Sequence, residues 1–214
     1  MTEIEGVIKY RLDYRPGDLP GGVDLRALQD WFSRCRAYGL IGRDPQRYQG
    51  LAFGNISQRA ATGFVISGTQ TGALDALRAD QLAWVKTLDP DRNTLSATGP
   101  ARPSSEAMTH GQVYRALRSV GAVIHAHSPA IWRHADALGI PKTAESAAYG
   151  TPEMAAEVTR LLDAVPTADH GLFAMGGHED GVVAFARDMA SAGRLLLATE
   201  DRARRLANRR NIHA

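Results

Sequence analysis

Cysteine is nearly missing from this sequence, with Cys35 the only one. That excludes an internal disulfide and any cluster of thiolate metal ligands, leaving histidine and carboxylate as the side chains able to hold a metal ion. Cys35 itself reads as a small buried hydrophobe. No apolar run comes near the roughly 20 residues that a membrane-spanning helix needs. The start, MTEIEGVIKY, has neither the basic segment nor the apolar stretch of a secretory signal, so the cytoplasm is the expected setting. An excess of one charge is missing too. The 25 basic and 23 acidic residues leave a formal charge of +2, which gives no general field for nucleic acid or membrane. The basic run Arg202, Arg204, Arg205, Arg209 and Arg210 follows an apolar helical pattern and reads as a solvated helix end or a subunit contact.

What remains is a chain of 214 residues, 44 % of them hydrophobic, which is enough for one domain over residues 1–214 with a substantial core. No internal repeat or low-complexity segment interrupts it. Alternation predicts a strand over Gly6 to Tyr14, closed by Arg15-Pro16-Gly17-Asp18. A helix is expected from Asp24, as N-cap, to near Gly39, with Leu25, Leu28, Trp31, Phe32 and Cys35 on one face. Short strands follow at 50–59 and 63–67, then a helix at 79–88 and a strand at 93–97. From Ser104, an N-cap, a helix should run to about Ser119. The β-rich run Ala122 to His127 lies between Gly121 and Ser128-Pro129. Helices are expected at 130–138, 152–162 and 181–205, with a strand at 171–175. This order lacks the regular rhythm of a parallel doubly wound sheet. It indicates an α/β fold with a mixed, largely antiparallel central sheet covered by helices.

The chemistry concentrates around His125-Ala126-His127. One intervening residue on a strand points both imidazoles to the same face, about 6 to 7 Å apart at Cα. This suits chelation of zinc or a related divalent ion, although such a pair by itself fits a structural or surface role equally well. A third ligand is required, and His170, just ahead of a predicted strand and followed by Gly171, is the candidate. His134 and His178 have no paired partner in sequence, and His213 lies at the terminus; these read as bland. Glu106 follows Pro103-Ser104-Ser105 where a turn becomes a helix. Unpaired N–H groups gather there and suit an anion. Glu106 could either cap the helix or handle a proton beside the metal.

Taken in order, Gly54-Asn55-Ile56-Ser57, Ser67-Gly68, Ser104-Ser105-Glu106 with His110 and Tyr114, His125-Ala126-His127, Gly150-Thr151-Pro152-Glu153 and His170-Gly171 resemble the class II aldolase/adducin family. The resemblance spans residues 25 to 200. It implies a Zn2+-type ion on His125, His127 and His170, with Glu106 as acidic ligand and base. It implies further that Asn55, Ser67, Gly68, Ser104 and Ser105 hold a substrate phosphate. His110 and Tyr114 read as helix-packing residues. The implied activity is that of a metal-dependent lyase: an aldolase acting on a small hydroxy-carbonyl compound or ketose phosphate through an enediolate. A dehydratase or decarboxylase using the same site is the alternative, as is a non-catalytic adducin-like interaction module. The partners implied are a small-molecule substrate and further copies of the chain in a homotetramer; Trp132, Arg133 and the C-terminal arginines read either as interface groups or as packing and solvated surface. Two departures stand out. Val65-Ile66 replaces the family's Thr-Pro, and the tyrosine that serves the sugar-phosphate aldolases as proton donor has only Glu145 or Tyr149 near its place.

Overall fold

A computed structural model describes residues 7–165 and 168–212; His213 and the first residue of the expected N-terminal strand lie outside them. The strands are β1 (Arg11–Pro16), β2 (Gly42–Arg43), β3 (Ala52–Phe53), β4 (Asn55–Arg59), β5 (Phe64–Ser67), β6 (Leu82–Asp89), β7 (Thr94–Gly99), β8 (Ala122–His127), β9 (His170–Ala174) and β10 (Gly181–Ala186). The helices are α1 (Arg26–Ala37), α2 (Ala107–Ala116), α3 (Pro129–Arg133), α4 (Ala135–Leu138), α5 (Pro152–Asp163) and α6 (Met189–Ile212). Eight strands form one sheet in the order β1-β7-β6-β5-β4-β8-β10-β9. Only β1 with β7 is parallel, and every other neighbour in that sheet is antiparallel. The mixed, largely antiparallel α/β sheet expected from the sequence is therefore the one observed.

Both faces of the sheet are covered, and the alternation along β8 shows how. Val123 packs with Val113 of α2, with Leu117 just beyond it, and with Val158 and Leu162 of α5. Ala122, Ile124 and Ala126 pack on the other side with Phe32 of α1, Ile131 of α3 and Leu196 of α6. Since strand side chains alternate, His125 and His127 share the α2/α5 face with Val123. α1 forms because Leu28, Trp31, Phe32 and Cys35 recur at helical spacing and are all buried. It stops where Gly39 takes a φ of 73°, with Gly39 N–H bonded to the Arg36 carbonyl and Leu40 N–H to that of Cys35, the double bond of a Schellman end. The chain leaving it passes the site, because the Leu40 carbonyl accepts the N–H of His127.

The helix expected at 130–138 is two short ones, α3 and α4, the strand expected at 50–59 is divided into β3 and β4, and other boundaries or element types change as well. Residues 82–89 are strand β6, paired on both sides; Trp84, Val85 and Thr87 fit a pleated surface, and tertiary pairing overrides the helical preference of Ala, Leu and Lys. Residues 181–186 are also a strand. All six are buried, and a short continuous apolar run cannot be told from a buried helix by periodicity. The first strand runs later than expected, over Arg11–Pro16; its place at the sheet edge tolerates the proline. Helix α2 begins at Ala107 rather than Ser104. The Asp24 side chain accepts Arg26 N–H just ahead of α1.

Candidate metal centre and active site

The pairing of three strands builds the site. β4 lies antiparallel to β8 with Asn55 opposite His125, and β10 lies on the other side with Gly181 opposite His127. The turn between β9 and β10 therefore arrives at the His127 end of β8, and His178 sits in that turn. His125, His127 and His178 are all buried, and they offer ligand atoms within 4.8 Å of one another. His127 Nε2 lies 3.2 Å from His178 Nε2. Two nitrogens bound at about 2.0–2.1 Å to one tetrahedral ion are about 3.3 Å apart, so the spacing fits a shared divalent metal. His125 Nε2 is buried and finds no hydrogen-bond partner among the described residues, as a nitrogen that serves an ion would. Burial first, and then the neighbouring His178 ring, pushes the pKa of His125 and of His127 well below the ordinary imidazole range. Both are neutral at physiological pH, the form that ligates metal.

His170 is not brought to this group. It faces Ala186 on β10, and Ala186 faces Ala122 on β8, so it lies level with the far end of β8. Five residues from Ala122 to His127 span about 17 Å. Its imidazole is exposed, with Nδ1 2.6 Å from Asp169 Oδ1. The third imidazole beside the pair is His178. Reading 181–186 as a strand antiparallel to β8 would have found it, since the glycine-rich turn Gly176-Gly177-His178-Glu179-Asp180-Gly181 then falls next to His127.

Glu106 joins the cluster from the N-terminus of α2. It occupies the N-cap position without capping the helix through its side chain. Oε2 instead accepts from Thr109 Oγ1 at 2.9 Å, and Oε1 lies 3.9 Å from His178 Nε2. The residue is fully buried. His110 and Tyr114 lie inside, as packing residues should, yet they share a polar link: Ser57 Oγ is 2.7 Å from His110 Nδ1 and 2.8 Å from the Tyr114 hydroxyl. Burial lowers the pKa of His110 to about 3.

Of the expected phosphate residues, Asn55, Gly68, Ser104 and Ser105 line one hollow with Gly54, Thr69 and others. Ser67 does not line it; its Oγ accepts the Ile56 N–H. Gly68 is required there because a Cβ would meet Ala101 at 2.9 Å and the Gln81 carbonyl at 3.0 Å. The two residues nearest the family's proton-donor tyrosine are otherwise engaged. The Tyr149 hydroxyl bonds the main chain of Val7 while its ring packs 4.7 Å from that of His178, and Glu145 is exposed beside Lys142. A neighbour that the sequence did not flag is Tyr48, whose ring stands edge-on 4.5 Å from His127. Its backbone is left-handed, with a φ of 49°, a strained conformation for a bulky residue. Its hydroxyl donates to Asp180 Oδ2 at 2.7 Å, and Arg47 pairs with the same oxygen at 2.9 Å. Among the described residues no helix is long and apolar enough to cross a membrane.

Comparison with known proteins agrees with this architecture. The methylthioribulose-1-phosphate dehydratase of Stenotrophomonas maltophilia is 31 % identical over 123 residues, 47 % of this chain and 57 % of that protein; the match thus spans little more than half the length of that relative. The l-fuculose-1-phosphate aldolase of Thermus thermophilus superimposes with a TM-score of 0.66 at 21 % identity, over 87 % of this chain and 94 % of the other. A sugar-phosphate aldolase of Thermotoga maritima gives 0.63 at 16 % identity, over 89 % and 96 %. At these identities the two structures speak for the fold alone. The model of the class II aldolase and adducin N-terminal domain matches residues 44–206, and the chain belongs to that family.

Proposed function

We propose that this protein is a divalent-metal-dependent lyase that takes a proton from the carbon beside a carbonyl group and expels a hydroxyl group as water, acting on a small hydroxy-carbonyl compound of the ketose-phosphate class. The observation that carries the proposal is the convergence of His125, His127 and His178 with Glu106, all of them buried. The three imidazoles would hold the ion, with Glu106 close enough to join them. When bound, it supplies Lewis-acid polarisation of the substrate carbonyl and makes the adjacent C–H bond more acidic. Glu106 then serves as the base, its Oε2 oriented by Thr109. Gly68, Ser104 and Ser105, in the hollow near the N-terminus of α2, would receive the phosphate and orient the reacting carbons. Tyr149 and Phe53 add apolar walls against His178 and His127, which strengthens electrostatic interactions at the site.

Dehydration is favoured over aldol cleavage because the Tyr149 hydroxyl is tied to Val7 and because a dehydratase is the relative at 31 % identity. Zinc as the ion and a homotetramer belong to the proposal through the family resemblance; the imidazole-rich donor set supports the first. The test is to incubate the metal-loaded protein with methylthioribulose 1-phosphate and a panel of ketose 1-phosphates, following loss of water by mass and release of a triose phosphate by a coupled assay. Loss of water is the expected outcome. Triose phosphate release would establish aldol cleavage instead, and turnover of no substrate by fully loaded protein would count against a lyase.

A further inference from the structure

We infer that Asn55 orients His125 for metal binding and fixes its proton on Nδ1, through a half-turn of the Asn55 side-chain amide; the inference rests on the metal site proposed above. Asn55 stands opposite His125 in the β4–β8 ladder. Its Nδ2 lies 3.2 Å from His125 Nδ1, and the two residues are 5 % and 0 % exposed. Two atoms of this buried pair find no hydrogen-bond partner among the described residues, Asn55 Oδ1 and His125 Nε2.

A neutral imidazole carries one ring proton. With the amide N–H₂ facing Nδ1, that nitrogen must accept, so the proton sits on Nε2 and no lone pair remains there for an ion. With the amide turned, Oδ1 accepts from Nδ1–H, and the Nε2 lone pair is free on the side where His127 and His178 converge. The amide oxygen and nitrogen have nearly the same size, so the turn needs no new space. A ligating histidine held by a hydrogen bond from its other nitrogen to an oxygen is the usual arrangement around a protein metal, and it sets tautomer and ring direction together. Asn55 is therefore a positioning residue that acts through His125. Its place in the strand ladder makes this specific. A side chain opposite His125 on the same face has Cβ within about 5.5 Å, the reach of one amide.

The test compares wild type, Asn55→Ala and Asn55→Asp, each checked for folding by thermal melting in the presence of chelator. Zn2+ and Co2+ affinities are measured by chelator competition, and the visible absorption of the Co2+ forms is recorded. Asn55→Ala should weaken metal binding about 10- to 100-fold, the usual effect of removing an outer hydrogen-bond partner. Asn55→Asp keeps an oxygen acceptor and should bind within a few-fold of wild type or more tightly, with a wild-type Co2+ spectrum. Unchanged affinity in Asn55→Ala, with weaker inhibition by inorganic phosphate, would overturn the inference and return Asn55 to phosphate binding. Equal weakening in both variants would also overturn it. If Asn55→Ala does not fold, a tenfold loss in Asn55→Asp decides against the inference by itself. A wild-type protein that binds no metal would overturn the proposed function, and this inference with it.

Discussion

Acidification should unfold this protein through histidines that it keeps neutral. His110 is fully buried, and burial lowers its pKa to about 3. His125 and His127 are held well below the ordinary range by burial and by the His178 ring. In the unfolded chain each titrates near 6.5. Between that value and the folded pKa, the unfolded state binds a proton that the folded state does not. Stability therefore rises with pH in this window and falls as pH drops below about 6.5. A full proton difference is worth about 1.4 kcal/mol per pH unit, so at pH 5 His110 alone should cost about 2 kcal/mol, and His125 and His127 act in the same direction. That is a sizeable part of the whole stability of an ordinary domain, about 5–15 kcal/mol. Urea denaturation at several pH values between about 7 and 5, with chelator present to exclude ion release, measures it directly. His110→Gln should remove about 2 kcal/mol of the loss. A change of less than about 1 kcal/mol over that range would show that these imidazoles ionise in the folded state as freely as in the unfolded chain.

Glu106→Gln should fold normally and lose at least about 100-fold in turnover, the contribution of a positioned base; wild-type turnover would remove Glu106 from the chemistry. Tyr149→Phe should keep turnover within a few-fold, because the hydroxyl serves the Val7 main chain; a large loss of turnover without a change in melting temperature would make it a proton donor after all. Gly193→Ala should destabilise by about 1–3 kcal/mol, because a Cβ there would meet the Trp31 ring at 2.1 Å; denaturant unfolding of an unaltered or stabilised variant would contradict this packing of α1 on α6.

Much of the architecture follows from local pattern. The face of α1 shows in the spacing of Leu28, Trp31, Phe32 and Cys35, and β8 shows in a short β-rich run between breakers. The reading fails where burial is two-sided. In Gly181–Ala186 both faces of the strand are apolar, so neither period 2 nor period 3.6 is visible. Burial of this strand on both faces therefore hides the third imidazole from the pattern. A helix over 181–186 gives the turn before it no place beside His127, whereas the antiparallel pairing of β10 with β8 brings His178 there. That His125 and His127 share one face was legible because their spacing within one strand decides where they point. His178 and Tyr48 were not, because the ladder register and a strained loop bring them in from distant parts of the chain.

The central claim is that His125, His127 and His178 share one divalent ion, and metal content measures it most directly. Wild type, His178→Ala and His170→Ala, purified without added metal and reconstituted with Zn2+, should be compared by elemental analysis after removal of free ion. The structure predicts about one equivalent in wild type and in His170→Ala, and at least a tenfold loss of affinity in His178→Ala, which breaks the set of three imidazoles. Full occupancy in His178→Ala together with loss in His170→Ala would contradict the account.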